Sequence, residues 1–205
     1  MMERLVLHEY AASGNCYKIR LTAALLGLKI ERREYDILKG ETRTPEFLAN
    51  VNANGRIPTL QIGDRFLPES NAACFYLAEG SALIPDDRFD RADMLRWMCF
   101  EQYSHEPYVA TMRFWVAFIA DRLSEEQKAQ IPMRRAQAEA ALKVMDGHLA
   151  GRRFFVADRL TLADIALYAY THVAEEGDLT LAPYANIRAW LDRVAATPGY
   201  VGIGA

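Results

Sequence analysis

The segment Asn54-Gly55-Arg56-Ile57-Pro58-Thr59-Leu60, followed by Glu69-Ser70, constrains this chain more than any other stretch. It predicts a turn that enters a strand. A proline at the mouth of a strand cannot donate a ladder hydrogen bond, so the strand needs a special start. X-Pro bonds are the only ones that adopt the cis form cheaply. A cis Ile57-Pro58 bond would leave the Ile57 N–H and C=O to pair with an extended peptide. Thr59 to Ile62 then reads as a short buried strand, Gly63-Asp64 as a two-residue hairpin turn, and Arg65-Phe66-Leu67 as the return strand. Ser70 is placed to N-cap a helix from Asn71 to about Glu79. The N–H groups at such a helix start suit a carboxylate. Together the pieces make a peptide-binding corner. Piece by piece, they also fit an ordinary hairpin and helix of an α/β domain.

The flanking sequence supplies the rest of that domain. Arg4 to Tyr10 predicts a first strand, and Cys16 to Leu28 an amphipathic helix ending near Gly27. Ile30 to Asp36 predicts a second strand, so the opening unit is β-α-β with a parallel crossover. Thr44-Pro45 is a cap followed by a first-turn proline, and it predicts a short helix anchored by Phe47 and Leu48. The order β-α-β-α-β-β-α is that of a thioredoxin-like domain over residues 1–80. A linker is expected over 81–90, where Pro85 and Asp86-Asp87 fall, and an all-helical domain over 91–205. In that second part Asp90 to about Arg122 reads as one apolar-rich helical stretch with a kink at Pro107. Ser124 to Gln127 forms a capping box, and Pro132 is expected to restart the helix that runs to Leu149. Thr161-Leu162-Ala163-Asp164 is a second capping box, with Leu160 and Ile165 as its hydrophobic staple.

Composition narrows the function. A net charge of −3 gives no basic stripe for a polyanion, so nucleic acid is not an expected partner. No run of about 18 apolar residues occurs, so no membrane span is expected. The charged start, Met1-Met2-Glu3-Arg4-Leu5, lacks the apolar core of a signal peptide. Cys16, Cys74 and Cys99 are odd in number and widely spaced, which predicts free thiols in a reducing cytoplasm. No Cys/His cluster has zinc spacing, so no metal is expected.

The corner at Ile57-Pro58 and Glu69-Ser70 resembles the glutathione-binding half of the glutathione transferase family. There an aliphatic residue and a cis-proline hold the cysteinyl backbone of glutathione, and Glu-Ser holds its γ-glutamyl end. Residues Asp158 to Leu167 resemble the capping box of a buried helix in the family's second domain, a folding element. The resemblance thus spans nearly the whole chain. It implies a thioredoxin-like N-terminal domain, an all-α C-terminal domain, glutathione as co-substrate, a homodimer and a detoxifying transfer to a small electrophile. Two other activities fit the same resemblance: a glutathione-dependent isomerase acting on maleylacetoacetate, or a thiol-disulfide oxidoreductase. A non-catalytic glutathione-binding module is the reading from another class.

Any such enzyme must make a thiolate. A free thiol has a pKa of about 8.5, so little is ionised at neutral pH. A hydroxyl donor and a helix N-terminus at the sulfur both favour the anion. Ser13 sits at the first strand-to-helix turn, where both are available. The run Ser13-Gly14-Asn15-Cys16-Tyr17-Lys18-Ile19-Arg20 resembles the serine-type segment of zeta- and theta-like transferases, which implies that Ser13 stabilises the thiolate. Ser13 fits a plain helix N-cap as well. Asn15 is the second candidate donor. Cys16 reads either as a small buried residue or as a partner in mixed-disulfide chemistry. Tyr10 reads as packing.

For binding, the resemblance implies that Ile57 contributes backbone, Glu69 meets the ammonium, and Ser70 with the helix start meets the carboxylate. Arg56 is placed to approach the glycyl carboxylate or is a solvated charge. Arg43 has the same two readings. Tyr103, His105, Tyr108 and Arg113 fall within about three helical turns and are the candidate electrophile pocket.

Overall fold

Leu5-Val6-Leu7 is a short apolar run next to a turn of small residues, and it becomes the central strand β1 (Leu5–Glu9). The computed structural model describes residues 4–205, and its four strands run in the order β2-β1-β3-β4. β2 (Glu31–Glu34) lies parallel to β1. β3 (Thr59–Ile62) and β4 (Arg65–Pro68) are antiparallel neighbours joined through Gly63-Asp64. A parallel pair needs a crossover, and α1 (Gly14–Leu25) supplies it. Leu7 faces Leu60 across the β1–β3 ladder, and both are completely buried. α1 ends in a Schellman motif: Leu28 N–H bonds Ala23 C=O at 2.8 Å and Gly27 N–H bonds Ala24 C=O at 3.0 Å, with Gly27 at φ 66.

β2 departs from the expectation of a strand over Ile30 to Asp36. It is shorter, and its Glu-Arg-Arg-Glu sequence is exposed throughout. It is an edge strand, and charged side chains are a common way to keep such an edge from pairing with another chain. α2 (Pro45–Asn50) forms as its sequence predicts. Thr44 Oγ1 accepts the Phe47 N–H at 3.2 Å, and Pro45 occupies the first turn. α3 (Ser70–Ala78) packs against α1.

The described chain divides into two compact units. One holds the residues through Ile84 together with Pro198–Ala205, and the other is Pro85–Thr197. The sequence instead places a linker over 81–90 and carries the helical part to residue 205. The difference arises because Tyr17 and Arg20 of α1 donate hydrogen bonds to the carbonyls of Val201, Ile203 and Ala205, which draws the final segment onto the first unit.

The second unit is helical. α4 (Arg88–Phe100) is capped by Asp87, whose carboxylate accepts the Phe89 and Asp90 N–H groups. A widened π-helical turn, Glu101–His105, leads into α5 (Glu106–Arg113), and a second, Phe114–Phe118, follows. Pro107 falls in the first turn of α5, directly after the π-helical turn. α6 (Glu125–Leu149) opens on the expected capping box: Ser124 N–H bonds Gln127 Oε1 at 2.9 Å and Gln127 N–H bonds Ser124 Oγ at 3.2 Å. Pro132 does not restart this helix; it lies inside it. Pro132 and Lys128 are both exposed, so the carbonyl left without its N–H partner lies on the solvent side.

α7 (Leu162–Thr171) is buried along its whole length, and α8 (Ala185–Ala195) closes the unit. Asp164, on the first turn of α7, accepts hydrogen bonds from Thr161 N–H (2.9 Å), Thr161 Oγ1 (3.1 Å), Phe155 N–H (3.0 Å) and Trp190 Nε1 (3.0 Å). Around it Trp97, Phe155 and Trp190 meet edge to face, with centroids 4.7 and 5.2 Å apart.

Candidate active site

The turn before β3 is built from short side chains that bond backbone. Asn52 Nδ2 donates to Arg56 C=O at 2.9 Å, and Asn52 Oδ1 accepts the Asn54 N–H at 3.0 Å. Arg43 closes the turn from outside by donating to Asn54 C=O at 3.0 Å, so it is a structural clamp as well as a surface charge. Gly55 takes φ 63 beneath that clamp, and a Cβ there would stand 2.7 Å from Arg43 Nη1. The Ile57-Pro58 bond is cis, Pro58 is buried, Ile57 is half-buried and Arg56 is exposed.

The far end of the hairpin delivers Glu69 and Ser70. Glu69 is exposed and adopts φ 73, ψ 112, a conformation that L-residues rarely take. Its carbonyl accepts the Ala73 N–H at 3.0 Å. Helical bonding therefore starts one residue earlier than the sequence predicts. Glu69 is the N-cap of α3, and Ser70 is its first helical residue rather than its cap. The Ser70 hydroxyl is consequently released for another partner: Oγ lies 3.3 Å from Asn15 Oδ1 on α1.

At the first turn, Ser13 is the N-cap of α1 and its Oγ accepts the Cys16 N–H at 3.4 Å. Ser13 N–H bonds back to Tyr10 C=O at 2.9 Å. Accepting a hydrogen bond uses a lone pair and leaves the hydroxyl proton for another acceptor, so capping does not exclude a role at sulfur. Ser13 and Asn15 are both half-buried. Cys16 is fully buried, and its sulfur accepts the Tyr10 N–H at 3.4 Å. Burial pushes its thiol up to about 12. A thiol so held is almost wholly protonated at neutral pH, which favours the reading of Cys16 as a small buried residue over that of a partner in mixed-disulfide chemistry.

The four residues expected to share a pocket in the second unit do not all come together. Tyr103 and Tyr108 line one cavity of about 270 Å³ with Phe100, Gln137 and Val144. His105 is fully buried, with Nε2 2.9 Å from Thr171 Oγ1. Arg113 is buried too; it pairs with Glu176 at 2.7 Å and lies 5.1 Å from the Phe118 ring centroid. Residues two apart on a helix point to different sides, so Tyr103 and His105 cannot face one cleft.

A set of charged residues missed in the sequence surrounds the first turn. Glu9 is fully buried, Arg20 lies 3.1 Å from it, and Arg32 pairs with its other oxygen. Arg20 Nη2 also donates to Ala11 C=O at 2.6 Å. The one signal in the sequence is an arginine set between Ile19 and Leu21 on an apolar helix.

Fold and geometry together define a thioredoxin-like domain, with two helix starts converging beside a cis-proline turn, followed by a helical domain. Residues 5–79 match the glutathione S-transferase N-terminal domain and residues 97–198 the glutathione S-transferase C-terminal domain. A glutathione S-transferase-like protein, LUC7, from a Fusarium species is 32% identical over 202 residues, covering 93% of this chain and 88% of the relative. A possible glutathione S-transferase from Rhodopseudomonas palustris superposes with a TM-score of 0.94 at 43% identity, covering 98% of each chain. A glutathione S-transferase from Pseudomonas fluorescens superposes at 0.92 with 42% identity, covering 97% of this chain and 98% of that one. The chain belongs to the glutathione S-transferase family.

Proposed function

We propose that the chain is an enzyme that binds glutathione, stabilises its thiolate at Ser13 and joins the sulfur to an electrophilic carbon of a small molecule. The hydrogen bond between Ser70 Oγ and Asn15 Oδ1, at 3.3 Å, is the observation that carries this reading. It draws the N-terminus of α3 to that of α1. Two helix starts, each favouring negative charge, then flank one short span. Glutathione has negative charge to place at both: a γ-glutamyl carboxylate and, once ionised, a thiolate.

The other roles follow from chemistry. Exposed Glu69 suits the γ-glutamyl ammonium, and the Ser70 backbone N–H at the start of α3 suits the neighbouring carboxylate, since the Ser70 hydroxyl hydrogen goes to Asn15. The Ile57 backbone beside Pro58 pairs with the cysteinyl unit, and Arg56 reaches for the glycyl carboxylate. Ser13 donates its hydroxyl hydrogen to sulfur. Asn15 already spends its carbonyl oxygen on Ser70, so its amide is the end that would donate. Cys16 takes no step. The thiol proton leaves to solvent. The sulfur lone pair forms the C–S bond, and a leaving group departs with its electron pair or the added electrons are protonated. On the electrophile side, Tyr103 and Tyr108 are retained as lining residues, while His105 and Arg113 are set aside because both already hold partners in the fold.

Calorimetry with reduced glutathione and turnover of a chlorodinitrobenzene-type substrate test this together. Absence of association would end the reading. Association without turnover across a panel of electrophiles, a maleylacetoacetate-type diene included, would instead make the chain a binding module.

A further inference from the structure

Ser13 stands at the end of a turn with little side chain to fix it. Ala11 and Ala12 lead from β1 to Ser13, and both are only half-buried. Ala11 is nonetheless gripped at both of its backbone polar groups. Its N–H donates to Glu34 Oε1 at 2.7 Å, and its C=O accepts from Arg20 Nη2 at 2.6 Å. Arg20 is itself wedged. It faces buried Glu9 at 3.1 Å and donates to Ile203 C=O at 2.9 Å and to Ala205 O at 3.1 Å. Arg32 bonds the same Ala205 oxygen at 2.8 Å, and the Tyr17 hydroxyl holds Val201 C=O at 2.7 Å.

We propose that Arg20 and Glu34 are positioning residues for the thiolate chemistry of Ser13, with residues 201–205 as the abutment that keeps Arg20 in place. The proposal rests on the glutathione reading above. Neither side chain is assigned to glutathione. They act through the Ala11 peptide groups, which lie two residues before Ser13. Hydrogen bonds from charged groups are stronger and shorter than neutral ones, so two of them on one residue make a stiff support. A misplacement of about 1 Å at a reacting group costs on the order of a hundredfold in rate. Only a planar fork of donors can reach Glu9, Ala11 and Ile203 at once; a lysine, as a point charge, cannot.

The test compares Arg20→Lys, Glu34→Ala and Glu34→Gln with the parent protein. Glu34 is exposed, so its variants fold even if Arg20→Lys does not. Three quantities are read: amide hydrogen exchange over residues 11–13 without ligand, the pKa of bound glutathione from its ultraviolet thiolate band, and kcat. In Arg20→Lys and Glu34→Ala, exchange speeds up, the bound thiol titrates higher, and kcat falls on the order of tenfold while the Kd for glutathione stays within about threefold. Glu34→Gln keeps a neutral acceptor for the Ala11 N–H and falls between Glu34→Ala and the parent. Unchanged exchange in Glu34→Ala overturns the positioning role by itself. Faster exchange with an unmoved thiol pKa and kcat overturns it as well. A parent protein that binds no glutathione overturns the earlier reading and the catalytic half of this one, while exchange still judges the grip on Ala11.

Discussion

His8 Nδ1 lies 2.9 Å from the Tyr35 hydroxyl, and its other ring nitrogen lies 3.0 Å from Gln61 Oε1. Gln61 can only accept through that oxygen, so the neutral ring donates from Nε2 and accepts the Tyr35 proton at Nδ1. The ring is 1% exposed. Burial holds the His8 pKa below its ordinary value; the Gln61 bond pulls it up and the nearby Arg33 charge pushes it down. His148 and His172 are lowered too, again chiefly by burial. As pH drops below the ordinary histidine value of about 6.5, the unfolded chain takes up protons before the folded one does. Stability is therefore full above that pH and is lost as pH falls toward the folded-state values. Asp164, whose carboxyl burial pushes up to about 6, takes up a proton in the folded state over the same range and offsets one such group. Urea midpoints measured from about pH 7.5 down to about pH 5 should still decline through the three histidines, each contributing at most about 1.4 kcal/mol per pH unit. A midpoint that rises over that range would contradict the buried neutral rings. Tyr35→Phe should cost about 1–3 kcal/mol, by leaving Nδ1 without its donor.

Ser13 holds two roles that can be separated. Ser13→Ala removes the cap and the donor together, and should cost about 1 kcal/mol of stability and about 2–3 kcal/mol of transition-state stabilisation. Ser13→Asp keeps a strong N-cap but offers sulfur a carboxylate in place of a donor. Its melting temperature should stay near that of the parent while turnover falls at least as far as in Ser13→Ala. Parental turnover in Ser13→Asp would remove the hydroxyl from the chemistry.

The three cysteines should differ sharply toward an alkylating reagent. Cys99 is exposed, whereas Cys16 and Cys74 are buried. Only thiolate reacts, and Cys16 is pushed up to about 12. Mass spectrometry of the native protein at neutral pH should find Cys99 labelled first and Cys16 protected until unfolding. Rapid labelling of Cys16 would reopen the disulfide chemistry.

Asp164→Asn should destabilise the second unit by about 3 kcal/mol. One carboxylate oxygen serves Phe155 N–H and Trp190 Nε1; the other serves Thr161 N–H and Oγ1. Burial pushes this carboxyl up to about 6, against the pull of those donors. An asparagine must turn its NH₂ on one pair, so donor faces donor in a fully buried place. Trp190→Phe leaves a single lone pair unmet and should cost about 1 kcal/mol plus any packing loss. Chemical denaturation of both variants checks the order.

What the sequence makes legible is whatever is fixed by neighbours a few residues apart. The Asn54-to-Leu60 turn, the Gly63-Asp64 hairpin, the Thr44-Pro45 start and both capping boxes have their partners within one turn of chain. Ser70 and Asn15 are 55 residues apart, and Arg20 and Ile203 are 183 apart; no local pattern announces either pair. The N-cap of α3 was illegible for another reason. Ser70 is the better capping residue, but an unusual φ at Glu69 starts the helix one residue early. Pro132 reads as a break because an internal proline costs about 3 kcal/mol in an average helix, and nothing in the sequence says that its unpaired carbonyl lies toward water. The expected pocket grouped four residues by their closeness along the chain, and closeness along a helix does not fix the side on which each one faces. The π-helical turn Glu101–His105 further shifts the helical phase between Tyr103 and the residues after it.

Glu69→Gly should separate stability from binding. Glu69 at φ 73, ψ 112 carries a backbone cost of about 1–3 kcal/mol, which glycine does not bear. Part of that gain is offset, because glycine has more freedom to lose on folding. The net expectation is a protein as stable as the parent or more stable by up to about 1 kcal/mol. The same change removes the carboxylate proposed to meet the γ-glutamyl ammonium. A charged hydrogen bond lost from a site costs about 1.5–3 kcal/mol, so glutathione affinity should drop by about tenfold to a hundredfold. Glu69→Gln restores the strain and the side-chain length without the charge. It should bind as weakly as Glu69→Gly while melting lower. If Glu69→Gly bound glutathione as tightly as the parent, the strained conformation would have to serve something other than that ammonium.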